Sequence, residues 1–296
     1  MANLRDIRNR IESVQNTMQI TKAMKMVAAA KLRKAQNRII DTRPYAYKMK
    51  QVVSRLVANA GGDNVLMRRP EQIDRVLFIV IGSDRGLCGG FNNNLFKAVE
   101  KRIADDFAAY NDSGNLSVIA LGKKADKYFR KRKYKVAKSI PGFFDELEFA
   151  STSEVMREVI GLFKQGSFDQ VHLCYNEFKS VISQNRIVEP VLPIDPELLL
   201  EDRASRDLKG EYIYEPDAEA ILDKLLPLHL NMQIWKAVLE SNAAEQGARM
   251  TAMDNATENA KDIERDLKLD YNQARQSAIT TEISEIVSGA QALKES

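Results

Sequence analysis

The segment whose residue types could best support chemistry runs from Gly82 to Gly90, with the sequence Gly-Ser-Asp-Arg-Gly-Leu-Cys-Gly-Gly. It follows an apolar run that predicts a buried strand and precedes a predicted helix, where a phosphate or dinucleotide loop would lie. Its spacing matches neither GxGxxG nor GxxxxGK followed by Ser or Thr, and Asp84 would repel a phosphate. A structural turn, whose glycines permit close backbone packing, therefore explains the segment better than a nucleotide site.

The histidines and cysteines have no partner residues at the sequence spacings that catalytic or metal-binding motifs require. His172 and His229 have no acid or nucleophile at motif spacing, so each is predicted to be a packed or surface histidine. Cys88 and Cys174 show no CxxC or Cys/His spacing, which indicates reduced cysteines and neither a disulfide nor a metal site. The basic cluster Arg130–Lys133 is explained by the end of a surface helix, since aromatic residues that would favour nucleic acid are not interleaved. We expect no catalytic residue, cofactor or metal.

The two ends of the chain predict long helices of opposite charge. Residues 1–60 contain 13 Lys/Arg against 3 Asp/Glu, whereas residues 211–296 contain 8 against 16. The expected helices, 1–59 and about 217–288, would pair antiparallel and close the chain on itself. A helix pair of this length transmits force or position, so a mechanical role is favoured over a catalytic one.

Each predicted helix carries apolar or small residues at alternating steps of three and four. In the first helix the stripe comprises Leu4, Ile7, Ile11, Val14, Met18, Ala28, Leu32, Ala35 and Ile39, and it is interrupted at Thr21 and Lys25. In the second it comprises Leu228, Met232, Trp235, Leu239, Asn242, Gln246, Arg249, Met253, Ala256, Ala260, Ile263, Leu267 and Ala274. The polar positions Asn242, Gln246 and Arg249 leave two interpretations open: imperfect packing, or enclosure of this part by other subunits.

Between these helices the pattern predicts a small α/β (Rossmann-like) domain at 74–210 with a largely parallel sheet. The predicted strands are 75–81, 116–121, 170–175 and 186–192, and the predicted helices are 93–107, 123–132 and 154–164. Residues 195–209 form a polar connection, and Pro227 predicts a kink or a fresh helix start. The fold class is thus α/β: a long antiparallel coiled coil of N- and C-terminal helices (1–59 and 217–296) with an inserted domain.

Membrane insertion is not expected. The longest apolar run, Val76–Ile81, is far shorter than the roughly 20 residues that a spanning helix needs. The N-terminus lacks an apolar signal region, so we expect any link to a membrane to run through partners.

Four segments resemble the gamma subunit of the bacterial F-type rotary ATP synthase, its central stalk. They are residues 20–33 (ITKAMKMVAAAKLR), 84–92 (DRGLCGGFN), 211–216 (EYIYEP), and 248–253 (ARMTAM) with 274–290 (ARQSAITTEISEIVSGA). The resemblance covers essentially the whole chain in the right order. It implies a non-catalytic rotor shaft whose rotation couples ion flow through a membrane ring to ATP synthesis, and reversibly to hydrolysis.

The resemblance also implies partners and contact residues. The partners would be the alpha and beta subunits of the catalytic hexamer, the epsilon subunit and the membrane c-ring, at the cytoplasmic face of the cell membrane, with no nucleic acid. Beta-subunit contacts would be Met24, Lys25 and Cys88. Contacts of the enclosed shaft would be Arg249, Arg275, Gln276, Thr280 and Glu282, and a foot on the membrane ring and epsilon would comprise Tyr212, Tyr214 and Glu215. The sequence departs from the family pattern at Pro227, and Lys25 occupies a variable position.

Two alternatives from other classes remain at this stage. An α/β nucleotide-dependent enzyme with a helical arm would have to bind nucleotide through residues 82–90. A basic coiled-coil nucleic-acid binder would be retained on DNA in a manner that weakens steeply with salt.

Overall fold

The computed structural model describes residues 4–60, 64–200, 214–215 and 217–294. In chain order the elements are α1 (Leu4–Ala60), a 3-10 turn (Val65–Met67), β1 (Val76–Ile81), α2 (Phe91–Asp106), α3 (Ala108–Asp112), β2 (Leu116–Leu121), α4 (Lys123–Lys131), β3 (Val136–Ile140), α5 (Phe149–Lys164), β4 (Gln170–Phe178), β5 (Gln184–Leu192), α6 (Pro196–Leu200) and α7 (Ala218–Lys294). The predicted fold class, two long terminal helices with an inserted α/β domain, is confirmed.

The chain forms two compact units, Met1–Val27 with Met250–Ser296 and Ala28–Arg249. Both long helices contribute to both units. The division predicted from the sequence, 1–59 with 217–296 and 74–210, follows the helix ends instead and stays a prediction.

The sheet of the larger unit has five strands in the order β3-β2-β1-β4-β5. β1 to β4 run parallel and β5 is antiparallel to β4, so the sheet is mixed. The sequence analysis missed β3, because its five residues include a lysine and alternate too weakly to stand out. It also placed the start of α5 five residues late, at 154 instead of Phe149, and α6 lies in the segment predicted to be a polar connection.

β1 lies at the centre of the sheet and is buried on both faces. One face, with Leu77 and Ile79, packs against α5 and against the portions of α1 and α7 that surround Val53 and Leu230. The other face, with Phe78 at its centre, packs against α2 and α4. The continuous apolar run of β1 is the pattern expected of a strand covered on both sides by helices.

The helix stripe of the larger unit consists of small and branched residues. Leu32, Ala35 and Ile39 of α1 form one buried cluster with Leu239 and Ala243 of α7. Farther along α1, Val53 lies in the cluster that contains Leu226 and Leu230, so residue numbers rise along one helix as they fall along the other, as antiparallel packing requires. The two alanines allow the helix backbones to approach closely.

In the smaller unit, polar pairs fix an antiparallel register of α1 on α7. The Thr21 and Thr257 hydroxyls are 2.8 Å apart in a buried hydrogen bond. Gln15 Nε2 donates to Glu264 Oε1 at 2.7 Å. The predicted break in the stripe at Thr21 is therefore a cross-helix polar contact.

The predicted stripe of α7 in this unit is correct at Met253, Ala260 and Leu267, which are buried, but wrong at Ile263. Ile263 was expected on the stripe, yet half of its surface is exposed. Thr257 is more buried than the predicted Ala256, and Leu267 lies on the stripe as expected. Hydrophobicity favoured Ile263, whereas the neighbouring Glu264 is the residue that contacts α1, through its hydrogen bond from Gln15.

Pro227 lies inside a continuous α7, so of the two outcomes predicted there the fresh helix start is wrong, and the kink stays a prediction. Leu226 and Leu230, on either side, are fully buried, and this packing outweighs the backbone hydrogen bond that proline cannot make. The helix begins after Asp217, whose Oδ1 accepts the Ala220 N–H at 2.7 Å, as an N-cap does.

Substitutions in the smaller unit test the observed phase of α7. We expect Leu267→Ala to lower the free energy of unfolding by about 2 kcal/mol, because it removes a buried side chain. Ile263→Ala should change it by about 0.5 kcal/mol or less, because Ile263 is half exposed. Urea denaturation of the full chain measures both, and a larger loss for Ile263→Ala would contradict the observed phase.

His172 gives the fold an acid-sensitive component. It stacks on Phe78 with ring centroids 4.8 Å apart, and burial lowers its pKa from 6.5 to about 4. The unfolded chain therefore takes up the proton first, so stability falls as pH falls from 6.5 towards 4. We expect His172→Phe to lose less stability over this range than the parent chain. Equal acid sensitivity of both chains in pH-dependent thermal unfolding would contradict the assignment.

Candidate interaction sites

Polar groups of the turn from Gly82 to Gly90 form hydrogen bonds with other residues of the chain. The Ser83 N–H donates to Asn92 Oδ1 at 3.0 Å, and Asn92 Nδ2 donates to Ser83 Oγ at 2.7 Å. A Cβ at Gly82 would lie 2.9 Å from Cβ of Ala125, so glycine permits α4 to approach the strand end. These contacts favour the structural turn over the nucleotide loop.

Asp84 links three segments of the larger unit. Its carboxylate accepts the backbone N–H groups of Lys123 at 2.9 Å, Gly142 at 2.7 Å and Phe144 at 3.1 Å. Lys123 opens α4, whose N-terminal N–H groups would otherwise attract an anion. The protein's own carboxylate thus lies where a phosphate would bind. Sequence analysis recognised its charge but not its three partners, which come from distant parts of the chain.

Arg249 joins α7 to this turn. Its guanidinium is 2.7 Å from Glu245 Oε1 and donates to the carbonyl oxygens of Gly86 at 3.2 Å and Arg85 at 3.4 Å. It also donates to Gln246 Oε1 at 3.2 Å. Only 9% of Arg249 is exposed, so its side chain is directed into the chain and not towards an outer surface.

The same contacts explain part of the polar stripe. Gln246 and Arg249 are buried within their own chain, where Arg249 contacts the Gly82–Gly90 turn. Neither of the two interpretations given above, imperfect packing or enclosure by other subunits, included this contact. Burial raises the pKa of Glu245, and the neighbouring Arg249 opposes that rise. The spacing of Glu245 and Arg249, four residues along a helix, was the available signal for this pair.

The side chain of Cys88 is directed inward from the turn and is buried. Its side chain packs with Phe91 and Ala244, and burial raises the pKa of its thiol. The adjacent Leu87 is instead 64% exposed and adopts a left-handed backbone with φ 61°. Leu87 is therefore the outward apolar residue of this turn, and the sequence analysis did not single it out.

A cavity of about 330 Å³ lies beside the turn, within the larger unit. Its cationic lining residues are Lys31, Lys34, Arg38, Arg85 and Arg249, and its acidic ones are Asp84, Asp145 and Glu245. Asp84 and Glu245 already have the partners described above. The remaining excess of cations suits the cavity to carboxylate groups.

Met24 and Lys25 lie on α1 in the smaller unit. Lys25 Nζ is 2.5 Å from Asp254 Oδ1 of α7, with both side chains partly exposed, and Met24 is half-buried. Ile20 and Val27, one turn away on either side, are exposed. The surface around Met24 is thus apolar, while the charge of Lys25 is partly balanced within the chain.

The last part of α7 lies open on all sides among the described residues. Every side chain from 275 to 291 is exposed, including the predicted contact residues Arg275, Gln276, Thr280 and Glu282. Four large apolar side chains share this exposure: Ile279, Ile283, Ile286 and Val287. Apolar residues on an exposed helix favour a partner surface.

The predicted foot is only partly described. Tyr214 packs on the edge of the core of the larger unit, and Glu215 is exposed. Tyr212 lies outside the described residues. None of the described helices is long and apolar enough to cross a membrane.

The fold is a two-helix coiled coil with an inserted α/β domain, and comparisons with known proteins assign it to a family. The family model described as ATP synthase matches residues 3–293. The ATP synthase gamma chain of Chlorobaculum parvum is 50% identical over 296 residues, covering 100% of both chains, and that of Salinibacter ruber is 47% identical over 307 residues, also covering 100% of both. The chain belongs to the family of ATP synthase gamma chains.

Solved structures agree with this fold. The chain is similar to one in the central stalk and c-ring of the Tetrahymena thermophila mitochondrial ATP synthase, with 27% identity, TM-score 0.59, and coverage of 80% of this chain and 99% of that one. A chain of the Euglena gracilis mitochondrial ATP synthase has TM-score 0.71 at 22% identity, with coverage of 98% and 94%.

Arg249→Ala tests the link between α7 and the turn. We expect it to lower the free energy of unfolding by about 3 kcal/mol near neutral pH, because it leaves the Glu245 carboxylate buried and unpaired. Without Arg249 the pKa of Glu245 rises further, so the loss should shrink as pH falls and the carboxylate is protonated.

A matched double variant, Glu245→Met with Arg249→Met, should cost less than Arg249→Ala, since no charge stays buried. Urea denaturation at several pH values measures all three chains. An Arg249→Ala loss that is small and independent of pH would contradict the link.

Proposed function

We propose that this chain is the central rotor shaft of an F-type ATP synthase. Its rotation couples ion flow through a membrane ring to conformational change at the catalytic sites, in synthesis and reversibly in hydrolysis. The observation that carries the proposal is the match to ATP synthase gamma chains over the full length of both proteins. The chain is a subunit of the complex and not its catalytic one.

The open end of α7 supports enclosure by the alpha and beta subunits. Residues 275–291 expose apolar side chains together with Arg275, Gln276, Thr280 and Glu282. In water this surface would be costly, whereas a surrounding ring of subunits would bury it. We assign these four polar residues to contacts with that ring.

The region around Met24 supports a contact with an acidic loop of a beta subunit. Lys25 presents a cation that Asp254 balances only in part, because both side chains are partly exposed. The cationic cavity beside the Gly82–Gly90 turn offers a second surface of the same charge, with Leu87 next to it. We assign the contact of that turn to Leu87 and Arg85, with Cys88 acting from beneath as a packing residue.

Contacts with epsilon and the c-ring are assigned to the foot, Tyr212, Tyr214 and Glu215. Support comes from the exposure of Glu215 and from the similarity to a chain in the central stalk and c-ring of the Tetrahymena thermophila mitochondrial ATP synthase. The chain would then lie at the cytoplasmic face of the cell membrane, attached through its partners.

Purification of the tagged chain from native membranes in mild detergent tests the proposal. We expect the alpha, beta and epsilon subunits and magnesium-dependent ATPase activity to accompany it. Recovery of the chain alone, with nucleotide bound through residues 82–90, would overturn the proposal in favour of a nucleotide-dependent enzyme.

Met24→Lys tests the contact near Lys25. The added ammonium would face carboxylates of the beta subunit and form an ion pair that resists movement of the shaft. We expect the complex to assemble and hydrolyse ATP while ion pumping per ATP falls severalfold, measured in membrane vesicles. Met24→Leu, of similar volume and without charge, should pump normally. Normal pumping by Met24→Lys would contradict the assigned contact.

A further inference from the structure

The surface formed by α4 and β3 carries a large excess of positive charge that the rotor function does not use. Between Lys123 and Lys138 there are 9 Lys/Arg and 1 Asp/Glu, in a chain whose net charge is +3. The whole segment lies within the larger unit. A charge excess of this size on a short surface segment attracts acidic partners.

The arginines of this surface are engaged within the chain, but several lysines are not. Arg130 pairs with Asp126 at 2.6 Å, and Arg132 pairs with Glu100 at 2.8 Å. In the part of the chain that the structure describes, Lys131 and Lys133 form no ion pair. Their charge is therefore available to another molecule.

The adjoining strand β3 has an open edge. It is an end strand of the sheet, paired with β2 on one side and with no other strand among the described residues. Ala137 in its middle is exposed. Such an edge can accept a further strand, and Lys131 and Lys133, which precede the strand, discourage pairing between two copies of the same chain. The same lysines would attract a strand that carries carboxylates.

The backbone conformation of Lys133 also favours a binding role for this residue. Its N–H donates to Arg130 O at 3.0 Å, and the Tyr134 N–H donates to Phe129 O at 3.1 Å, which closes α4 with a left-handed residue, φ 65°. Glycine is preferred at this position of a helix end. A lysine here has an unfavourable backbone, yet it places a cation directly before the open strand.

We propose that the α4–β3 edge binds an extended acidic segment of a partner protein. The segment adds a strand to β3, and its carboxylates face Lys131 and Lys133. Nucleic acid is disfavoured, because the Tyr128 ring is covered by the Arg132 guanidinium at 3.7 Å and its hydroxyl donates to Glu100. An anionic lipid surface would suit the lysines but would leave the strand edge unpaired.

Amide hydrogen exchange of residues 132–141 tests the proposal in the assembled complex and in the free full-length chain. We expect exchange to be about tenfold slower in the complex, because strand pairing protects edge amides. Lys131→Ser with Lys133→Gly should reduce this protection. Lys133 has a left-handed backbone, which glycine adopts without strain, so Lys133→Gly removes the charge without weakening the end of α4. Unfolding of α4 therefore cannot account for a loss of amide protection at this position.

The matched control is Lys101→Ser on α2, an exposed lysine outside the segment, which should keep full protection. Equal exchange in the complex and the free chain, or protection that the double variant retains, would overturn the proposal. So would equal protection of the free chain by vesicles containing phosphatidylglycerol, since that result would identify a lipid surface.

Discussion

Antiparallel packing of α1 on α7 is the interaction on which the structure depends. In the larger unit it brings Leu32, Ala35 and Ile39 onto Leu239 and Ala243. In the smaller unit it pairs the Thr21 and Thr257 hydroxyls. Within each unit these cross-helix contacts resist sliding of one helix along the other, because sliding would break them. This is the property that a shaft needs in order to transmit a turning force.

The Gly82–Gly90 turn shows how a loop becomes fixed to such a helix. Asp84 holds the turn to two neighbouring segments through three backbone N–H groups, and Arg249 holds it to α7. The glycines allow the close approach, while the charges determine which surfaces meet. A force applied at Leu87 therefore reaches α7 through short polar contacts within one compact unit.

Periodicity predicted the long helices, the α/β insert and four of the five strands, because these elements bury wide apolar faces. It failed at β3 and at Ile263, where polar contacts and partial exposure decide the structure. The family resemblance implied that Arg249 and Cys88 contact other subunits, which stays a prediction, and it did not anticipate that both side chains are buried. The inward orientation of Arg249 depends on Glu245 and on the carbonyl groups of the turn, and no local pattern encodes contacts that the fold brings together.

Observation of single complexes during ATP hydrolysis tests the central claim most directly. Both native cysteines are buried, so a cysteine introduced at exposed Lys101 can carry a bead while the catalytic subunits are held on a surface. The account predicts rotation of the bead in one direction while the complex hydrolyses ATP. A bead that stays still, or turns equally in both directions while the complex hydrolyses ATP, would contradict it.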